Sequence, residues 1–153
     1  YYGLGDLFVF IFFGLAAVGG TYYVQAGQLS AAALWAAAPI GLLTTAILVV
    51  NNLRDIETDR AVGKRTLAVR LGVGGARLEY LLCLGGAYLA VLLMWAGGTA
   101  SAWVMLSWLS LPLALRLIRQ IYRDTGRALN LALAGTGQFE LVFAVLFSIG
   151  LLI

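Results

Sequence analysis

The chain of 153 residues is 62% hydrophobic and only 11% charged. Soluble globular domains average about 45–50% apolar and about 25% charged residues, so an ordinary soluble fold is excluded. The net charge is +3, but all ten Lys and Arg residues fall within residues 54–77 and 116–127, which suits an anionic inner leaflet and disfavours nucleic acid.

The chain begins at Tyr1, and its first apolar stretch is too long and too lightly flanked for a cleaved signal peptide. The expectation is that an amino-terminal part of the protein precedes it. Residues 7–53 carry no charge, and at about 20 residues per crossing they accommodate two helices with a turn at residues 25–30. The second span, residues 34–50, runs without a breaker into residues 51–59. One helix is therefore expected to continue past the membrane core until Gly63 ends it. Residues 80–115 are again uncharged, and Gly97, Gly98, Thr99 and Ser101 mark a turn between two short spans. A fifth span is predicted from about residue 131 to 153.

Continuous apolar runs with no period of two exclude a β-barrel. The predicted fold is an all-α bundle, residues 1–153 forming one transmembrane domain. With the amino end inside, both uncharged turns lie outside and both basic patches lie inside. Tyr22, Tyr23, Trp35, Trp95 and Trp103 form the outer aromatic belt, and Tyr80 and Tyr122 are assigned to the inner one. Ala16 with Gly20 and Gly86 with Ala90 place small residues one turn apart, as close helix packing requires. Pro39 and Pro112 fall inside predicted spans and are expected to kink them.

Histidine is absent and Cys83 is the single cysteine. This removes imidazole acid–base catalysis, haem held by an imidazole, the common zinc sites and any intrachain disulfide. Chemistry must come from carboxylates, amides, hydroxyls and cations. Asn51, Asp55 and Asp59 recur every four residues, which on a continuous helix makes a ladder of oxygen ligands along one face. Two carboxylates and an amide suit Mg²⁺, which takes one or two protein carboxylates and completes its shell with water and substrate phosphate oxygens. Arg54, Arg60, Lys64, Arg65 and Arg70 outnumber Asp55, Glu57 and Asp59 between residues 54 and 70. With a bridging metal, that surplus neutralises a diphosphate and stabilises it as it departs. Solvated, self-paired charges are the ordinary fate of a loop after a membrane helix. The amide one turn earlier, the continuity with the span and the Gly-Lys-Arg stop favour a site.

Arg116, Arg119, Arg123 and Arg127 form a second basic stripe whose default partner is phospholipid. Glu140 lies in the last apolar segment, where it is either an intramembrane carboxylate or a headgroup-level one. Phe8 with Phe12 and Phe143 with Phe147 are i, i+4 aromatic pairs that offer ring faces to a carbocation or simply pack. A small transporter or ion-binding subunit is the alternative class, but such proteins place ionisable groups near the midplane, whereas these charges crowd one mouth.

From Asn51-Asn52-Leu53-Arg54-Asp55 through Asp59-Arg60 to Gly63-Lys64-Arg65-Thr66-Leu67-Ala68-Val69, the chain resembles the second aspartate-rich motif of the UbiA superfamily of intramembrane aromatic prenyltransferases. Gly3-Leu-Gly-Asp-Leu-Phe-Val-Phe, the run from Gly20 to Gln25, Leu129-Asn130 and Thr136-Gly137 are similar to the branch acting on 1,4-dihydroxy-2-naphthoate in menaquinone biosynthesis. The resemblance covers most of the chain and is least diagnostic over residues 78–125. It implies Mg²⁺-dependent transfer of an isoprenoid from a polyprenyl diphosphate to an aromatic acceptor, here with loss of CO₂ to give demethylmenaquinone, the alternative within the family being another acceptor such as 4-hydroxybenzoate. It also implies a bacterial inner-membrane location with the site facing the cytoplasm. Asp55 and Asp59 are then the catalytic metal-holding residues, and Asn51, Arg54, Lys64 and Arg65 bind diphosphate. The family fold implies about nine membrane helices and a first Asn/Asp motif nearer the amino end, making this chain the carboxy-terminal portion of a larger domain.

Overall fold

The computed structural model describes residues 3–153. Five of its helical segments are long and apolar enough to cross a membrane, and the chain is an integral membrane protein. The described residues contain no strand. Helix α1, Gly5–Ala26, has a π-helical middle at Phe10–Gly19. Helix α2, Ala31–Arg54, starts on Ser30, whose hydroxyl accepts the Ala33 N–H at 3.1 Å. The short α3, Ile56–Ala61, leads to α4, Leu67–Ala96, capped by the Thr66 hydroxyl accepting the Val69 N–H at 3.2 Å. A 3₁₀ segment, Ala102–Ser110, runs into α5, Leu111–Arg123, and a short 3₁₀ turn precedes α6, Leu129–Leu152.

Long-range contacts define an up-and-down order. The Asp6 carbonyl accepts from Thr45, Arg54 reaches Asn130, and Thr44 reaches Glu140, so α2 runs antiparallel to both α1 and α6. Tyr80 bonds Thr136 at 3.0 Å and Tyr88 bonds Ser110 at 2.7 Å, which ties α4 to α6 and to the 3₁₀ segment. Helix α2 is the centre of the bundle, contacting α1, α4 and α6. Its core partners include Leu43, Val49, Val50, Leu84, Val91 and Phe139. Against α1, a Cβ on Gly14 would come within 2.7 Å of the Gly41 Cα, so only glycine permits this approach. The segment from Asp55 to Thr66 lies at the same end as Asp6, Asp124 and Asn130.

Several expectations require correction. Nothing lies within 4 Å of a Cβ built on Gly20, whereas one on Gly86 would lie 3.0 Å from the Leu42 Cδ1, and the close contact of α1 with α2 falls at Gly14 and Gly41. Pro39 sits inside α2, and Pro112 lies inside the fourth span, where the 3₁₀ segment gives way to α5. The third span begins at Leu67 rather than near residue 80, with Gly72 non-helical within it. Tyr80 is fully buried and bonded to Thr136 rather than part of an aromatic belt, because its hydroxyl finds a partner in the core. Tyr122 is exposed and carries the Arg77 guanidinium 5.5 Å above its ring.

Candidate active site

The expected single helix through residues 51–59 does not form. Helix α2 ends at Arg54, Asp55 takes φ −97° and ψ 10°, and α3 restarts at Ile56. The hydrogen-bond ladder bridges the break, with the Asp55 N–H on the Asn51 carbonyl at 3.2 Å and the Asp59 N–H on the Asp55 carbonyl at 2.8 Å. The one-turn spacing survives, but the common face does not. Asn51 lines a cavity of about 370 Å³ with Asp6, Asn52, Lys64 and Thr66. Asp55 lines a different one, of about 590 Å³, with Arg54, Glu57, Asp124 and Arg127.

Arg54 joins the two. Its Nε and Nη2 donate to the Asp55 carboxylate at 2.8 and 2.5 Å, Nη2 also donates to the Asn51 Oδ1 at 2.9 Å, and Nη1 donates to the Asn130 Oδ1 at 3.0 Å. The Arg54 hydrogen bond holds the Asp55 carboxyl below the usual carboxylate range, with the charges of Arg54 and Lys64 adding to it against some burial.

Asp59 is buried, with one oxygen receiving the Lys64 Nζ at 3.0 Å. Gly63 makes that pair. At φ +72° it donates to the Arg60 carbonyl at 3.2 Å while the Lys64 N–H returns to the Asp59 carbonyl at 2.9 Å, a helix stop that folds the lysine back over α3.

The other predicted residues divide. Arg65 is exposed and lays its carbonyl against Gly3; among the described residues its guanidinium makes no contact with the cluster. Arg60 pairs with Glu57 in solvent. The basic stripe splits, since Arg127 lines the Asp55 cavity while Arg116, Arg119 and Arg123 line a separate groove. Phe143 and Phe147 are core, packed with Tyr88 and Phe139, whereas Phe8 is exposed and lines the Asn51 cavity. Glu140 accepts from the Thr44 hydroxyl at 2.6 Å. Thr44 is ten residues from Arg54 on α2, or about 15 Å at about 1.5 Å per residue.

Asp6, Asn52, Thr66 and Asn130 fall within the motifs that carry the resemblance but were given no role in the site. Asp6 had a signal, being the last charge before the uncharged stretch of residues 7–53.

The model of the UbiA prenyltransferase family matches residues 1–134. The chain belongs to the UbiA prenyltransferase family. It is 42% identical over its whole length to the 1,4-dihydroxy-2-naphthoate octaprenyltransferase of Haemophilus influenzae, covering 50% of that protein. It is 38% identical over 99% of its length to the Escherichia coli protein of the same name, covering 49%. UbiA prenyltransferase domain-containing protein 1 of Homo sapiens is 34% identical over the whole chain, which covers 44% of it. The chain thus spans about half the length of these UbiA relatives.

Divalent metal is a general requirement in this family. Among the described residues no three His, Cys, Asp or Glu side chains gather as a metal cluster. A pair of carboxylates one turn apart fits an ion that takes only one or two protein carboxylates and shares the rest of its shell with phosphate and water. Asp55 and Asp59 stand four residues apart, each balanced by a cation, Arg54 and Lys64.

Proposed function

We propose that this chain is the carboxy-terminal portion of a UbiA enzyme that transfers a polyprenyl group from its diphosphate to an aromatic acceptor, 1,4-dihydroxy-2-naphthoate. The bond from the prenyl C1 to the diphosphate oxygen breaks and diphosphate leaves, the ring carbon bonds to C1, and the ring carboxylate leaves as CO₂, giving the hydroquinone form of demethylmenaquinone with both ring hydroxyls retained. The relatives named for this reaction support the acceptor. Clustering of Asn51, Arg54, Asp55, Asp59 and Lys64 at one end of an apolar bundle carries the chemistry.

Asp55 and Asp59 would hold Mg²⁺, which supplies Lewis-acid stabilisation of the departing diphosphate. Arg54 and Lys64 add fixed positive charge beside the carboxylates, so the leaving group meets preorganised donors and little solvent reorganisation is needed. Asn51 is oriented by Arg54 and offers its amide N–H to the diphosphate. The apolar bundle accepts the isoprenyl tail, leaving the headgroup at the charged mouth. Basic patches confined to that mouth support a cytoplasmic orientation in a bacterial inner membrane.

The test uses the full-length protein in membranes, assayed with polyprenyl diphosphate and several aromatic acceptors. Asp55→Asn and Asp59→Asn are expected to abolish turnover while the protein still inserts, as is EDTA. Full activity with EDTA or in both variants would overturn the proposal, as would solute movement across sealed vesicles with no consumption of prenyl diphosphate.

A further inference from the structure

One carboxylate in the bundle lacks what a buried charge needs. Asp6, in the first turn of α1, is 6% exposed, and its Oδ1 is buried without a hydrogen-bond partner. Unmet polar atoms of this kind are costly in a folded interior and point to a ligand group or a functional role. The field of the α1 N-terminus favours the charge but supplies Oδ1 with no donor. The side chain lines the cavity of about 370 Å³ between α1 and the Asn51 end of α2, a volume within the range of small-molecule sites.

The rest of the lining defines the occupant. Leu4, Leu48 and Phe8 give apolar walls on one part of the cavity, and Asn51, Asn52 and Lys64 give donors on another. An ionised carboxylate only accepts hydrogen bonds, so its complement must carry an O–H or N–H. An ionised diphosphate has neither. A flat apolar ring bearing a hydroxyl at one edge and a carboxylate at another satisfies every wall, with the hydroxyl on Asp6 and the carboxylate toward Lys64 and the amides.

We infer that Asp6 accepts a ring hydroxyl of the aromatic acceptor, so that the cavity between α1 and α2 is the acceptor subsite and Asp6 selects hydroxylated rings. The inference rests on the proposed function and adds a binding residue to it. Asn51 and Lys64 line this cavity and also belong to the diphosphate-binding cluster, which places the two substrates side by side.

The experiment uses the full-length protein in membranes, with 1,4-dihydroxy-2-naphthoate as substrate. Its two analogues lacking either ring hydroxyl are measured as competitive inhibitors, so their own reactivity does not enter. The native protein should bind the dihydroxy compound more tightly than one of the analogues. Asp6→Leu should shrink that preference by about 10- to 100-fold, the range for a hydrogen bond to a charged group, while KM for the prenyl diphosphate changes less than about two-fold. Asp6→Asn keeps an acceptor oxygen without the charge and should lie between the two; it gives the reading if the leucine variant does not fold. An unchanged preference in the folded variants would overturn the inference. So would an unchanged preference joined to a raised Mg²⁺ requirement, which would make Asp6 a metal ligand. Failure of the parent proposal is separate, because it appears as a native protein that prenylates none of the acceptors.

Discussion

Arg54 grips both oxygens of Asp55, at 2.8 and 2.5 Å, while also reaching the side-chain oxygens of Asn51 and Asn130. One planar guanidinium therefore sets the direction of three groups around the helix break. Lysine keeps the charge but not the fork. Arg54→Lys and Arg54→Gln are both expected to lower kcat/KM for the prenyl diphosphate by about 10- to 100-fold, matching about 1.5–3 kcal/mol for a hydrogen bond to a charged group. Steady-state kinetics check this, and undiminished kcat/KM in the lysine variant would show that charge alone suffices.

The same contact predicts a pH response. The Asp55 carboxyl is held below the usual carboxylate range chiefly by Arg54. Such a group contributes stability that is present above its unfolded value of about 3.9 and is lost as pH falls through the lower folded value. Between about pH 5 and 8 the pair should add no titration to thermal stability in detergent. Arg54→Gln should flatten the acid limb of that profile, because the Asp55 carboxyl no longer sits below its unfolded value, and an unchanged limb would assign the acid transition to other groups.

Gly63 is needed for its backbone rather than its size. A Cβ there would meet nothing within 4 Å, but φ is +72°. Gly63→Ala should cost about 1 kcal/mol in stability, the usual scale for a left-handed L-residue, and should raise KM for the diphosphate as Lys64 loses its place on Asp59. Gly63→Asn, which tolerates this conformation, should recover most of both. Thermal unfolding and kinetics on the same preparations decide it.

Gly41 is the opposite case, needed for its size. A Cβ would lie 2.9 Å from Phe10 Cδ2 and 3.0 Å from Gly14 Cα, so Gly41→Ala must push α1 off α2. Overpacking of this kind costs about 1–3 kcal/mol, and it should also reduce acceptor affinity, since the Asp6 cavity lies between these helices. Gly20→Ala, with open space around it, should be neutral in the same melting assay.

Charge segregation made the bundle legible, because moving a Lys or Arg into hydrocarbon is costly whatever the tertiary structure. Crossing number, the charged mouth and the Gly63 stop all follow from local composition. The break at Asp55 was not legible, because residues 51–59 contain no Gly or Pro and the Arg54 guanidinium bonds across the break to both its own turn and α6. Asn130 is brought in from another helix, and Asp6 gains its meaning from a cavity wall contributed by α2 and the segment after α3. Tyr80 looked like a belt residue because an aromatic beside a basic patch has the same pattern whether it faces headgroups or a Thr136 hydroxyl.

Glu140 shows how depth changes the role of a carboxylate. It sits about 15 Å from the charged mouth, by about 1.5 Å per residue, and its partner is a threonine hydroxyl at 2.6 Å rather than a cation. The Thr44 hydroxyl also reaches the Ile40 carbonyl of its own helix at 3.0 Å, so the contact ties α2 to α6. A glutamine presents the same carbonyl oxygen to Thr44 without a charge. Glu140→Gln is therefore expected to leave melting temperature and turnover nearly unchanged, whereas Thr44→Val strands the carboxyl and should destabilise the bundle by about 1–3 kcal/mol. If instead Glu140→Gln abolishes turnover while the melt is unaltered, the charge itself is used, and Glu140 belongs to the chemistry rather than to the packing of α2 on α6.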